Sequence, residues 1–208
     1  MIADLFFKIT FSALWLIFFA NAAWTRYLAR VSISKRVARH VGSLTILALA
    51  LAVPYFVGAL AYVLAPSLIA PLLIPLSDWF RVIMACVAAF GIGFAAWGLR
   101  VLGKNWAPSM TGVREDSELV TTGPYGIVRN PIYLGAFIFL PSLALVGSNW
   151  LMLLPAIALC VILFTQVDEE EATVMDRFGD AYREYMKRTP KLIPKLRQTP
   201  EPNRNTDS

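Results

Sequence analysis

Long apolar runs alternate with short polar connectors along this chain. The 208-residue sequence has five such runs, at about residues 2–23, 42–65, 79–101, 132–147 and 150–166. Crossing the hydrocarbon core of a bilayer takes about 20 helical residues, and fewer when flanking residues reach back to the headgroups. The last two runs are shorter and only Ser148 and Asn149 separate them, which predicts a tight helical hairpin. The pattern predicts an all-α, integral membrane helical bundle with about five transmembrane helices.

A proline-rich segment follows the second run. Pro66, Pro71 and Pro75 interrupt the apolar residues 68–76. Proline removes a backbone donor and clashes with the preceding helical turn, so three prolines prevent a continuous helix. We expect this segment to lie at the membrane interface and not to span.

Composition agrees with the hydropathy pattern. Hydrophobic residues make up 57% of the chain and charged residues 16%, whereas a soluble domain carries about 25% charged residues. We expect one membrane domain over residues 1–194, with N-terminal spans at 1–98, a catalytic core at 99–194 and a disordered tail at 195–208. Cys86 and Cys160 lie inside apolar runs, so no disulfide framework is indicated. No small-residue cleavage site follows the first run, which we interpret as a retained span.

The basic residues are distributed unevenly between the connectors. Residues 24–41, residues 100–131 and the tail after Gln166 hold 17 of the 19 Lys and Arg residues. With five spans, all three segments lie on one side of the membrane, and the positive-inside rule makes that side cytoplasmic. We expect a multi-pass protein, in the inner membrane if the source is a bacterium, with its C-terminus in the cytoplasm. The net charge of +5 then reflects topology and contact with membrane lipids. No aromatic-interleaved basic patch indicates a nucleic-acid partner.

The segment Gly123-Pro124-Tyr125 to Arg129-Asn130-Pro131-Ile132-Tyr133 leads into the fourth run. An arginine at a membrane face is costly without a partner and is a candidate for function. Pro131 suits the first turn of a helix, where its missing N–H costs nothing. The N–H groups of that turn, together with Arg129, predict an anion site for a carboxylate or phosphate. The alternative is a snorkelling arginine beside a proline that only starts a helix.

Other candidate motifs have simpler explanations. Gly91, Gly93 and Gly98 lie inside the third run with no strand before them, so close helix packing is favoured over a dinucleotide fingerprint. His40 lies in a basic connector and is expected to be a surface residue. No His/Cys cluster has metal-ligand spacing, so we expect no metal site.

In order, the polar motifs of residues 99–194 resemble the isoprenylcysteine carboxyl methyltransferase family. That family's pattern is an asparagine-aromatic pair, Gly-Pro-Tyr, Arg-His-Pro-x-Tyr, a helical hairpin, Glu-Glu, and Phe-Gly-x-x-Tyr-x-x-Tyr ending at a proline. This chain has each element at compatible spacing, from Asn105-Trp106 to Phe178-Gly179, Tyr182, Tyr185 and Pro190. The first two runs match nothing specific.

The resemblance implies S-adenosyl-L-methionine as methyl donor, with a cytoplasmic C-terminal helix that completes the donor site. It implies catalytic roles for Arg129 and Glu170. The cofactor-binding residues it implies are Tyr125, Arg129, Asn130, Pro131, Tyr133, Glu169, Glu170, Tyr182 and Tyr185, and the substrate residues are Asn105, Trp106 and Gln166. A sulfonium and an ammonium favour a nearby carboxylate such as Glu170, and the donor's own carboxylate favours an arginine or a helix N-terminus. Tyr182 and Tyr185 share one face of a helix, where their rings could line an adenine site. The alternative is that they belong to an amphipathic helix that rests on the membrane surface.

Two residues depart from the family pattern. Asn130 replaces the usual histidine but keeps hydrogen-bonding capacity. Gln166 stands where eukaryotic prenylcysteine enzymes carry an arginine implicated at the substrate, which weakens the case for a prenylcysteine carboxylate. We therefore expect a lipidic or lipid-attached acceptor. A carboxylate acceptor is ionised at neutral pH and needs only positioning, whereas an amine needs a base such as Glu170 or Glu169. The alternatives are a phospholipid or amine N-methyltransferase, a membrane reductase, and a non-catalytic relative with the same fold.

Overall fold

The computed structural model describes residues 2–29, 43–105 and 117–194, and these ranges are almost entirely helical. The helices are α1 (Ile2–Ala29), α2 (Ser43–Leu64), α3 (Pro66–Ile69), α4 (Asp78–Leu102), α5 (Pro131–Val146) and α6 (Trp150–Arg188). Helices α1, α2, α4 and α6 are long and apolar enough to cross a membrane, and α5 is a shorter apolar helix of 16 residues. The prediction of an all-α, multi-pass membrane bundle is confirmed.

Contacts at the two ends of the bundle fix the directions of the helices. At one end Arg81, near the start of α4, contacts Phe7 of α1, Tyr62 of α2 and Val146 of α5. At the other end Arg100 donates a hydrogen bond to Asn21, at 3.5 Å between Nη2 and Oδ1. Helices α1 and α4 therefore run in one direction, and α2 and α5 run in the other. We call these the Arg81 end and the Arg129 end.

The helix ends that flank the three basic segments all lie at the Arg129 end. This agrees with the charge bias of the sequence and with five crossings of the bundle. Which membrane face this end occupies stays a prediction, and so does the single-domain division. The tail at 195–208 lies outside the described residues.

Helices α4 and α5 approach so closely that their backbones touch. A Cβ added to Gly135 would lie 2.5 Å from the carbonyl oxygen of Gly91 and 2.6 Å from the Cβ of Ala95. Gly98 faces Pro131, whose Cγ would lie 3.2 Å from an added Cβ. These contacts confirm the packing interpretation for Gly91 and Gly98, since a side chain at Gly91 would collide with the middle of α5 and one at Gly98 with its first turn. Gly93 faces open space and takes no part.

The proline-rich segment does not span, as predicted. It forms the short helix α3 and a 3₁₀ turn (Ala70–Leu72). Its backbone then meets the turn between α5 and α6, where the N–H of Ile74 donates to the carbonyl of Ser148 at 2.7 Å. The Asn149 side chain caps α6 by accepting from the N–H of Met152 at 3.0 Å. The segment thus closes the helical hairpin that the sequence predicted.

The last helix extends well beyond the predicted span. The fifth apolar run ends near Gln166, but α6 continues through polar residues to Arg188. The tail helix is therefore an extension of a membrane helix, with one break at Gly179, where φ is 52° and ψ is −122°. A positive φ of this kind suits glycine because it has no Cβ. The helix carries its polar half out beyond the Arg129 end of the bundle.

Candidate active site

A buried ion pair between Arg129 and Glu171 lies at the centre of the Arg129 end. Nε of Arg129 donates to Oε1 of Glu171 and Nη2 donates to Oε2, both at 2.9 Å. The two side chains are 7% and 10% exposed. Asn130 donates from Nδ2 to the same Oε1 at 2.7 Å. The glutamate therefore receives three donors, and such a two-pronged pair is among the strongest hydrogen-bonded arrangements in proteins.

The chain beyond α6 folds back onto the start of α5. We call residues 189–192 the strap. The N–H of Arg129 donates to the carbonyl of Pro190 at 2.8 Å, and the N–H of Asn130 donates to that of Lys191 at 3.2 Å. Nη1 of Arg129 donates to the carbonyl of Thr189 at 2.7 Å. Arg129 therefore ties α5, α6 and the strap together through its backbone and its side chain.

A second ion pair fastens the strap from outside. Lys191 pairs with Asp168 of α6, and its ammonium lies 5.0 Å from the centre of the Phe164 ring. Asp168 is largely exposed, so solvent screens this pair and it contributes less than the buried one.

Three tyrosines pack beside the buried pair. Tyr182 and Tyr185 are buried with ring centres 5.8 Å apart. The hydroxyl of Tyr185 donates to the carbonyl of Tyr125 at 2.6 Å. This bond joins the Gly-Pro-Tyr turn to the tail part of α6. The amphipathic alternative for the tail helix does not describe these two rings, because both face the protein.

The charges in this cluster shift the ionisation of its members. Burial lowers the pKa of Arg129, but the hydrogen bonds and charge of Glu171 outweigh burial, so the pKa is raised and the guanidinium stays charged. Burial, and after it the charge of Glu171, raises the pKa of Tyr182. Burial raises the pKa of Tyr185 to about 12, although Arg129 opposes the shift. Burial raises the pKa of Tyr125, and neighbouring Tyr185 and then Glu170 add to it. All three phenols are therefore neutral at physiological pH.

Residues 79–181 match the phospholipid methyltransferase family. The chain is 38% identical over 81 residues to protein-S-isoprenylcysteine O-methyltransferase of Schizosaccharomyces pombe, covering 38% of this chain and 34% of that protein. Its identity to the Xenopus laevis protein of the same name is 29% over 126 residues, or 56% and 41% of the two chains. It is also 29% identical over 119 residues to the nickel-cobalt-cadmium resistance protein NccN of Alcaligenes xylosoxydans xylosoxydans, or 57% and 53%.

The fold is similar to the solved structure of the eukaryotic intramembrane Ras methyltransferase ICMT. The TM-score is 0.53 at 24% identity, over 74% of this chain and 53% of that one. These matches support the predicted resemblance to the isoprenylcysteine carboxyl methyltransferase family. The chain spans between about a third and a half of the curated relatives it matches.

The structure brings most of the predicted donor-site residues together. These are Tyr125, Arg129, Asn130, Glu170, Tyr182 and Tyr185. Pro131 occupies the first position of α5, as predicted, and packs against Gly98. Tyr133 lies on α5 with its ring centre 6.5 Å from that of Phe137. Glu169 is exposed on α6, where its carbonyl accepts from the Thr173 hydroxyl.

The predicted substrate residues occupy two other places. Asn105 accepts from the N–H of Glu118 at 3.1 Å, so it joins the two ends of the connector 106–116. Trp106 lies outside the described residues. Gln166 is half-buried on α6, one turn before Glu170. Their roles stay predictions.

The sequence motifs did not single out Glu171, although Arg129 binds it. The motif resemblance implies a site role for Glu170, but the neighbouring Glu171 forms the ion pair. A signal was present in the helical phase. Val167 and Glu171 are four apart and lie on the same buried face of α6. A carboxylate on a buried face needs a partner, and Arg129 is that partner.

Proposed function

We propose that this chain is an S-adenosylmethionine-dependent membrane methyltransferase with its donor site at the Arg129 end. The observation that carries the proposal is the meeting of the Tyr125–Tyr133 segment with the polar half of α6. Arg129 and Glu171, which join the two stretches, are 42 positions apart in the sequence. They come together where the membrane helices end, which is accessible to a water-soluble donor.

The chemistry of the residues fits this donor. Half-buried Glu170 lies close enough to Tyr125 to raise its pKa, and its carboxylate suits a sulfonium or ammonium. Helix α5 begins without a side-chain cap from Asn130, whose Nδ2 donates to Glu171. The start of a helix attracts a carboxylate through its N–H groups and dipole. Bound S-adenosylmethionine would supply an electrophilic methyl group on a sulfonium centre.

The residues of the chain would bind and orient the donor and would exclude water from the site. The buried rings of Tyr182 and Tyr185 remove water from one side of the site. All three nitrogens of the Arg129 guanidinium donate to protein oxygens. This supports a positioning role for Arg129 more than a direct contact with the donor's carboxylate. Glu170 is then the residue we expect to meet the donor's positive charge.

The acceptor we propose is lipidic or lipid-attached and reaches the site from the bilayer. Prenylcysteine is favoured by the relatives named isoprenylcysteine O-methyltransferases, whereas Gln166 argues against it. The match to the phospholipid methyltransferase family favours a second candidate, an amine in a lipid headgroup. A carboxylate acceptor is already ionised, but an amine must lose a proton, for which Glu170 and Glu169 are the candidates.

Calorimetry on the detergent-solubilised protein tests the donor. Titration with S-adenosylhomocysteine and separately with NADPH distinguishes the three classes of function. Binding of S-adenosylhomocysteine alone is the expected result. Binding of NADPH would favour a reductase, and binding of neither would favour a non-catalytic relative.

Transfer of a radioactive methyl group tests the acceptor. We expect an apolar, membrane-soluble acceptor to be methylated faster than a water-soluble analogue with the same reacting group. Farnesylcysteine should be a poor substrate of the wild type and a better one of Gln166→Arg, because the added guanidinium would bind its carboxylate. Rapid farnesylcysteine turnover that ignores the change at Gln166 would remove that residue from the acceptor site.

A further inference from the structure

We infer that Glu171 is a positioning residue of this site, which acts through Arg129 and Asn130 to hold the strap against the start of α5. The inference rests on the proposed function, because it takes the donor site to adjoin the strap. The sequence motifs implied a role for Glu170 and none for Glu171.

The geometry around Glu171 leaves little freedom to its two partners. Its oxygens accept three hydrogen bonds of 2.7 to 2.9 Å from Arg129 and Asn130. Both partners lie in the turn immediately before α5. One carboxylate on α6 thus orients two consecutive side chains at the start of another helix.

These two residues also hold the strap. Their backbone N–H groups donate to Pro190 and Lys191, and the Asn130 amide adds a bond to the Lys191 carbonyl at 3.3 Å. Thr189 and Leu192 are buried, whereas Ile193 is 81% exposed. Tight packing therefore ends where the contacts with Arg129 and Asn130 end.

Glu170 and Glu171 are suited to different tasks. Consecutive residues on a helix point about 100° apart, since one turn takes about 3.6 residues. Glu171 faces Arg129, and Glu170 is near Tyr125. Glu171 is committed to the protein donors that fix the site's shape, whereas Glu170 lies on a different side of the helix.

Three variants test the inference. Glu171→Gln removes the charge. Glu171→Asp keeps a negative charge beside buried Arg129, but the aspartate side chain is too short to reach both Arg129 and Asn130. This variant therefore remains informative if Glu171→Gln fails to fold. Glu184→Gln is the matched control, because Glu184 lies on the same helix and pairs with exposed Lys187.

The first measurement is hydrogen exchange in the ligand-free protein, read at the Arg129 and Asn130 amides. The second is the donor KM and kcat with a membrane-soluble acceptor. Glu171→Gln should speed exchange and raise KM, each by at least about tenfold, and change kcat at saturating donor much less. Glu171→Asp should recover part of both losses. Glu184→Gln should resemble the wild type.

The outcomes separate this inference from the proposed function. Unchanged exchange at Arg129 and Asn130 in both Glu171 variants would overturn the role of Glu171, even if the wild type transfers methyl groups. Faster exchange with an unchanged donor KM would overturn the link between strap and donor. A wild type that does not bind S-adenosylhomocysteine would overturn the proposed function itself.

Discussion

Each end of the helical bundle buries an arginine, and the two guanidinium groups have different kinds of partner. Arg81 donates to neutral oxygens, at 3.1 Å to the Val146 carbonyl and at 2.7 Å to the Tyr62 hydroxyl. It also lies 3.8 Å from the centre of the Phe7 ring. Its carboxylate partner Asp78 is exposed and 3.6 Å away. Arg129 instead has a buried carboxylate with two bonds of 2.9 Å.

The difference separates a structural tie from a candidate site. The neutral oxygens that accept from Arg81 lie on α2 and α5. Removal of Arg81 therefore leaves no opposite charge buried. The bond to the last turn of α5 also places a cation at the negative end of that helix. At the Arg129 end the acceptors are the carboxylate of Glu171 and carbonyl groups that include one of the strap. Glu170 lies close by. Perturbed pKa values, such as those of the three tyrosines beside Arg129, are typical of functional sites.

The largest effect is expected from Arg129→Ala. It leaves Glu171 buried without its cation and should lower the free energy of unfolding by about 3–5 kcal/mol. S-adenosylhomocysteine binding should weaken at least about tenfold. Thermal unfolding and calorimetry in detergent measure the two effects, with Asp180→Ala as the control, because Asp180 is exposed on the same tail.

Arg81→Met should have a smaller effect of a different kind. Methionine fills much of the same space and leaves neutral groups without a donor, at a cost of about 1–3 kcal/mol. S-adenosylhomocysteine affinity of the folded fraction should stay at the wild-type value. Equal losses of affinity in the Arg81 and Arg129 variants would show that both merely hold the fold.

Glu170→Ala should affect binding without a comparable loss of stability. Glu170 is half-buried and is not the carboxylate of the buried pair, so its removal should cost less stability than removal of Arg129. We expect S-adenosylhomocysteine to bind at least about tenfold more weakly, which corresponds to about 1.4 kcal/mol. Wild-type affinity in a folded Glu170→Ala protein would show that Glu170 does not contact the donor's positive charge.

The sequence predicted the helices better than it predicted their partners. Each apolar run begins within a few residues of the start of a helix, and Pro131 marked the start of α5. The continuation of α6 past Gln166 was missed because polar residues carry no hydropathy signal. The strap was missed because its bonds to Arg129 join residues about 60 positions apart. Glu171 was missed because a motif match fixes neither helical phase nor which of two adjacent glutamates faces inward.

The smallest expected effect concerns Tyr185 and alkaline pH. Its folded pKa is raised to about 12, so its neutral form stabilises the fold fully below its ordinary pKa of 10. That stabilisation is lost as pH rises from 10 through 12. Tyr185→Phe should cost about 1 kcal/mol at neutral pH by removing the bond to Tyr125, and should flatten part of the alkaline decline. An unchanged alkaline slope in unfolding experiments would contradict the buried phenol.

Hydrogen exchange of the wild-type protein with and without S-adenosylhomocysteine tests most directly whether the donor site lies at the Arg129 end. The ligand should slow exchange in residues 125–134 and 182–192. Residues 78–84, around Arg81, should exchange at the same rate in both states. Protection around Arg81, or no protection near Arg129 at saturating ligand, would contradict the account.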